Sequence, residues 1–227
     1  MVDGNSPEGL VGVGDDLTAM ALALFPAEGV DGTRQQIVAV AEQAIQGCDG
    51  AGIFVLEDGV AATVAASSAL VVEVDQLQID SGEGPCLDAA SDGSRCLADD
   101  LSDDGRWSTF GPTAVHAGVR SVLAYPLASD RSSALNLYAA LPASFTSRGQ
   151  AQGQVFAALA TVALAHAGER AADAHRSEHL IEALETRELI GQAQGILMER
   201  ERITAAEAFS VLRQASQHQN VKLRAVA

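Results

Sequence analysis

The spacing of apolar residues changes several times along this chain, and each change marks an element. Between Thr33 and Gln46, TRQQIVAVAEQAIQ sets Ile37, Val40, Ala41 and Ala44 on one helical stripe. Two short apolar runs follow, AGIFVLEDG and VAATVAAS, parted by Glu57-Asp58-Gly59. Asp-Gly between such runs predicts a β-hairpin. Residues 67–78 read as a short helix, and the stretch from Asp80 to about Ala117 as loop-rich. GVRSVLAYPL and SALNLYAAL supply two further strands. Helix, hairpin, excursion and two strands predict an α+β class, an antiparallel sheet with flanking helices.

No proline follows Pro142, and from about Phe145 to Arg202 the residues are mostly good helix formers. The pattern predicts a helix of nearly sixty residues, with Gly168 a candidate interruption. Its apolar stripe (Val155, Leu159, Val162, then Leu180 and Leu184) needs a partner, and a parallel dimer is the natural one.

Within this helix, ELIGQAQGILMER carries Gly191 and Gly195, each costing about 1 kcal/mol relative to alanine. On a helical wheel Leu189, Ile190, Ala193, Ile196 and Leu197 form one bulky apolar stripe. Leu180, Leu184, Gly191, Gly195 and Met198 cluster on the opposite side, a dimer or close-packing face where small residues let another backbone approach. Thr204-Ala205-Ala206-Glu207 then reads as a capping box opening a second helix. Its stripe is Ala208, Val211, Leu212 and Ala215, and Phe209 is expected to serve the bundle core. That leaves no exposed aromatic for stacking. A turn at 217–220 leads to VKLRAVA, with Leu223 and Val226 facing inward, which completes a three-helix bundle.

Composition sharpens this division. Hydrophobic residues make up 48% of the 227, enough for a packed core, and aromatics only 4%. No apolar run reaches membrane-spanning length and the N-terminus lacks a basic region, so neither a transmembrane span nor a signal peptide is expected. Cys48, Cys86 and Cys96 form no CxxC, and the expectation is a cytoplasmic protein. The net charge is −16, but residues 1–179 hold 8 Lys+Arg against 24 Asp+Glu, while residues 180–227 hold 6 of each. After Ile203 there are Arg213, Lys222 and Arg224 against Glu207 alone. Only this tail can approach a phosphate backbone without strong repulsion.

Two resemblances follow from particular words. Gly82-Glu83-Gly84-Pro85, Asp100-Leu101, Arg106-Trp107 and Gly118-Val119-Arg120-Ser121 resemble the GAF family of small sensory domains over roughly residues 33–166. The resemblance implies a sheet with a cap of loops over a small-molecule pocket, and terminal helices that dimerise. Some enzymes of that fold reduce free methionine sulfoxide with cysteines. Their catalytic cysteine lies further on, where this chain reads TFGPTAVHAG. Cys86 and Cys96 therefore read as packed thiols, with redox sensing as the sharper alternative. The acidic run Asp99, Asp100, Asp103 and Asp104 lacks EF-hand spacing, and His175 and His179 have no third ligand in view. With no Walker, GxSxG or HExxH motif, no enzyme activity, metal or cofactor is expected.

RELIGQAQGILMERERITAAEAFSVLRQASQHQNVKLRAVA resembles an ANTAR domain, the RNA-binding module of transcription antitermination regulators. Gln194 stands where that family usually has Lys, and the chain stops at Ala227 where its third helix normally continues. The resemblance implies a dimer binding paired stem-loops in nascent mRNA leaders and so promoting antitermination. Arg213, Lys222 and Arg224 are the candidate phosphate contacts, and Ser216, Gln217 and Asn220 the candidate base readers. The expected organisation is a disordered 1–15, a GAF-like domain 16–166, a helical connector 167–179 and an ANTAR domain 180–227. The rival is a protein–protein signalling module with a ligand- or redox-sensing front and no RNA.

Overall fold

The structure, a computed structural model, describes residues 18–24, 27–127 and 133–227. The expected disorder of residues 1–15 lies outside the described residues. The chain divides into two compact units, Met1–Glu169 and Arg170–Ala227.

In the front unit, residues 18–24 are helical and α1 (Gly29–Ala44) follows. β1 (Gly50–Glu57) and β2 (Val60–Ala66) form the predicted hairpin. Asp58 and Gly59 turn the chain with φ of 51° and 80°, the paired positive values that a two-residue hairpin loop needs. Ser68 caps α2 (Ala69–Ser81) by accepting from the Val71 amide.

The stretch from Asp80 to Ala117 is more ordered than its composition suggested. It holds α3 (Pro85–Asp92), β3 (Cys96–Ala98) and α4 (Phe110–His116). None exceeds eight residues, too short for a period to declare itself. β4 (Ser121–Pro126) and β5 (Ser133–Ala139) complete an antiparallel sheet in the order β2-β1-β5-β4-β3. The class is α+β as expected, with β3 the strand that the pattern did not predict.

Alternation along β5 sets the two layers. Leu135 and Leu137 join Ile37, Ala41, Phe156 and Ala160, the side covered by α1 and the start of α5 (Ser147–Glu201). Ala134 and Tyr138 face the other side, with Val74, Cys86 and Phe110 of α2, α3 and α4. On that side lies a buried polar network. The Asp75 carboxylate accepts from Tyr138 Oη, from Thr63 Oγ1 at 2.8 Å and from Asn136 Nδ2 at 3.2 Å. Gln78 continues it, donating to Tyr138 Oη at 3.0 Å and to Cys86 Sγ at 2.8 Å. Burial pushes the Asp75 carboxyl above the usual carboxylate range, and the three donated bonds only partly oppose it. Asn136 Oδ1 has no hydrogen-bond partner.

α5 runs unbroken through Gly168. In the second unit its last turns meet α6 (Ala205–Gln219), which opens on the predicted capping box: Thr204 Oγ1 accepts from the Glu207 amide while Glu207 Oε2 accepts from the Thr204 amide at 2.8 Å. Ala193, Ala208 and Leu212 are buried, with Ile190 and Leu197 half-buried beside them. Leu189 and Ile196, expected on the same stripe, stay exposed, Ile196 at 66%. The small Ala208 and single Leu212 cover a narrower arc than the stripe spans. Residues 221–227 hold one 3-10 turn, Leu223–Ala225, and not a third α-helix. A lone turn fixes many dihedrals for few hydrogen bonds, so it does not propagate by itself.

Two measurements check this account. A native state that holds the Asp75 proton loses stability as pH rises above the ordinary carboxyl range, because the unfolded chain has already released it. The melting temperature of the unaltered protein should therefore fall between pH 4 and 8 relative to that of Asp75→Asn; parallel pH profiles would refute the buried neutral acid. Thr204→Ala removes the cap of α6 and should destabilise the second unit by about 1 kcal/mol, seen as lost helical circular dichroism. An unchanged melting curve counts against the cap.

Candidate nucleic-acid interface

The six residues expected to meet RNA fall at the end of α6 and in the turn behind it, but they are not equivalent. Arg213 and Gln217 stand exposed one turn apart on α6, and Lys222 is exposed just beyond it. Neither Arg213 nor Lys222 carries an ion pair among the described residues. Arg224 pairs with Glu182 of α5 across the second unit. Ser216 is half-buried and donates to the Val221 carbonyl at 2.6 Å. Asn220 takes φ 53° and ends α6 in the left-handed conformation, which asparagine tolerates better than most residues. Ser216 and Asn220 thus shape the helix end, and Arg213, Gln217 and Lys222 are the open side chains around it.

Gln194, which stands where the resemblance led us to expect a cation, donates to the Ala205 carbonyl at 3.1 Å. It ties α5 to the first turn of α6. Phe209, expected in the core, is 41% exposed. Counted from the buried Ala208 and Leu212, it lies one step round α6 toward Arg213.

The second expected face of α5 is bare. Leu180 and Leu184 are 63% and 57% exposed, and Met198 is exposed as well. A Cβ built at Gly191 or Gly195 meets nothing within 4 Å.

The front unit places its motif words in its cap. Glu83 Oε1 accepts from the Thr109 amide and, at 2.8 Å, from the Phe110 amide, closing the start of α4. These backbone bonds hold the Glu83 carboxyl below its usual range. Arg120 clamps Asp100 through two bonds at 2.9 and 2.5 Å, holding that carboxyl well below the usual range. The Arg106 guanidinium lies 4.1 Å from the Trp107 ring centre, and Trp107 donates to Asp88 at 3.0 Å. At the starts of β1, α2 and β4 a half-open pocket of about 40 Å³, room for little more than a water or two, is lined by Gly50, Ser68, Val71, Val119 and Tyr138 among others. All three cysteines are free. Burial pushes Cys48 up to about 12 and Cys96 to about 11, and Cys86 well above its ordinary value, which keeps them as unreactive thiols. Among the described residues no His, Cys, Asp and Glu cluster could hold a metal, and no helix is long and apolar enough to cross a membrane.

Comparison with known proteins agrees with this geometry. A family model for the GAF domain matches residues 27–165 and one for the ANTAR domain matches residues 178–227. No curated protein matches the chain. Among solved structures, free methionine-R-sulfoxide reductase from Neisseria meningitidis, in complex with its substrate, is 15% identical. The match covers 75% of this chain and 97% of that one with a TM-score of 0.55. The GAF domain of an Acinetobacter phosphoenolpyruvate-protein phosphotransferase is 14% identical, over 69% and 95% of the two chains, with a TM-score of 0.54. The corresponding domain from Coxiella burnetii is 15% identical, over 70% and 95%, also with a TM-score of 0.54. At these identities the likeness establishes the fold of the front unit. A sensory module thus precedes an RNA-binding antitermination module, the organisation of a regulator: the chain belongs to the GAF domain family and carries an ANTAR domain behind the GAF domain.

Proposed function

We propose that the protein is a dimeric, signal-responsive regulator that binds paired stem-loops in nascent mRNA leaders and promotes transcription antitermination. The carrying observation is the exposed pair Arg213 and Lys222 on the neutral tail of a chain with net charge −16. Each member of the dimer holds one stem-loop, and the held RNA cannot form the competing terminator hairpin. In this reading Arg213, Gln217 and Lys222 touch RNA directly. Ser216 and Asn220 set the helix end, and Arg224 contributes on release from Glu182. Residues 16–166 act as the sensory domain, 167–179 as the connector and 180–227 as the RNA-binding domain, and the protein works in the cytoplasm without catalysing a reaction. The sensory domain takes a small-molecule ligand.

The face formed by Leu180, Leu184, Gly191, Gly195 and Met198 is the dimer contact in this proposal. It joins an apolar stripe to two glycines that leave room for a second backbone. A rival reading, a protein–protein signalling module without RNA, draws on the Arg224–Glu182 pair, which withdraws one of the three cations from the tail.

Titrating the full chain with a tandem stem-loop RNA across a salt series separates the two. The expected result is tight binding whose dependence on log salt weakens by about 0.7–0.9 per cation in Arg213→Ala and Lys222→Ala. No binding at any salt concentration would favour the protein-partner reading. Gly191→Ala/Gly195→Ala tests the dimer face separately. Open surface glycines would make this variant more stable by roughly 1 kcal/mol per site, whereas a close-packed interface would shift sedimentation toward monomer.

A further inference from the structure

The chain is economical with aromatic side chains and hides nearly all of them. Phe54, Trp107, Phe110, Tyr125, Tyr138, Phe145 and Phe156 are all buried. Phe209 is the exception among the described aromatics, at 41% exposure, and the only Phe, Tyr or Trp after Phe156. It therefore sits alone on the unit that carries the open cations. Ala193, Ala208 and Leu212 are buried while the ring is not, so the core of this unit closes without it.

Its position on the helix adds a second observation. Arg213 lies four residues on, and side chains so spaced are neighbours on one face. Gln217 continues the same row one turn later. The row reads aromatic, cation, amide, and the only acid between Ile203 and Ala227, Glu207, is held in the capping box. An apolar partner helix would find a guanidinium in the middle of this row. An unpaired nucleotide presents a π-face and a phosphate at a similar separation, so charge and shape both favour it.

We propose that Phe209 is a stacking platform for one unpaired base of the RNA loop, with Arg213 neutralising that nucleotide's phosphate and Gln217 beside the base edge. The proposal rests on the RNA-binding function put forward above and names the part of the RNA which that site takes: a splayed loop base, not the paired stem.

The test uses the full chain and a stem-loop RNA with 2-aminopurine placed at each loop position in turn, alongside the same stem closed into a loop-free duplex. Phe209→Leu keeps apolar volume and helix propensity, and Phe209→Tyr keeps the ring. Expected is a fluorescence change at one loop position that Phe209→Leu abolishes and Phe209→Tyr retains. Affinity for the loop should fall about tenfold or more in Phe209→Leu, with duplex binding unaltered. Equal loop binding by Phe209→Leu and the unaltered protein overturns this inference and leaves the RNA-binding function standing. A Phe209→Leu chain that sediments as monomer where the unaltered protein is dimeric also overturns it, because a second copy then covers the ring. Failure of the unaltered protein to bind any loop removes the RNA-binding function itself, and the inference with it.

Discussion

Close approach across glycine governs where α5 can sit. A Cβ at Gly149 would collide with the Gln46 carbonyl, and one at Gly153 would lie 2.7 Å from the Tyr125 ring. Their absence lets the first turns of the helix settle onto the front unit, where Tyr125 Oη donates to the Gln150 carbonyl at 2.5 Å and Phe156 and Ala160 are fully buried. Here the propensity cost of two glycines is offset by packing within one chain. The same four-residue spacing recurs at Gly191 and Gly195, where a Cβ would meet nothing within 4 Å among the described residues. Two glycines and the exposed Leu180 and Leu184 are unfavourable features that nothing among the described residues offsets. That imbalance is the physical motive for placing a second copy on this face.

Much of this architecture was legible because its signals are local or periodic. The Asp-Gly turn, the short apolar runs beside it and the Thr204–Glu207 capping box each depend on neighbours a few residues away. The long helix was legible through the absence of proline and the run of good helix formers. What escaped is what only tertiary contact decides. β3 is three residues of the edge strand, paired to β4 through Cys96, Leu97 and Ala98, and nothing in CLA distinguishes it from loop. Phe209 was assigned to the core because aromatic residues usually go there, yet the arc covered by α6 is set by how small Ala208 and Ala193 are. Ser216 and Asn220 carried the right residue types for reading bases and equally the right types for ending a helix. Only the Val221 carbonyl and the left-handed φ at 220 identify the second role.

The two units divide physical labour along the charge boundary that the sequence displayed. The front spends its arginines internally. Arg120 is clamped on Asp100, Arg106 on Asp104 and over Trp107, and Arg34 on Asp31. These bonds neutralise individual acids without reducing the surplus, so the front remains a negative body whatever its cap does. In the second unit Arg213 and Lys222 remain open. Repulsion between the acidic front and a polyanion then favours engagement through the tail alone, which gives specificity of orientation without any added contact.

The front unit itself is held together in two ways. Its sheet is held by four antiparallel pairings and two buried apolar layers, so opening it requires most of the unit's stability. Its cap shares one of those layers through Cys86, Leu101, Trp107 and Phe110, and adds bonds made by single side chains nearer the surface, Glu83 on two amides and Asp100 on Arg120. The small pocket beside it is lined by Gly118 and Val119, directly adjacent to Arg120. Arg120 is tied there by its backbone as well, its amide donating to the Ala139 carbonyl of β5 at 2.9 Å and its carbonyl accepting from the Leu101 amide at 2.8 Å. Cys86 sits within the shared layer, hydrogen-bonded to Gln78 and Tyr138, and burial raises its thiol well above the ordinary value, so cap, sheet and polar network meet at one side chain.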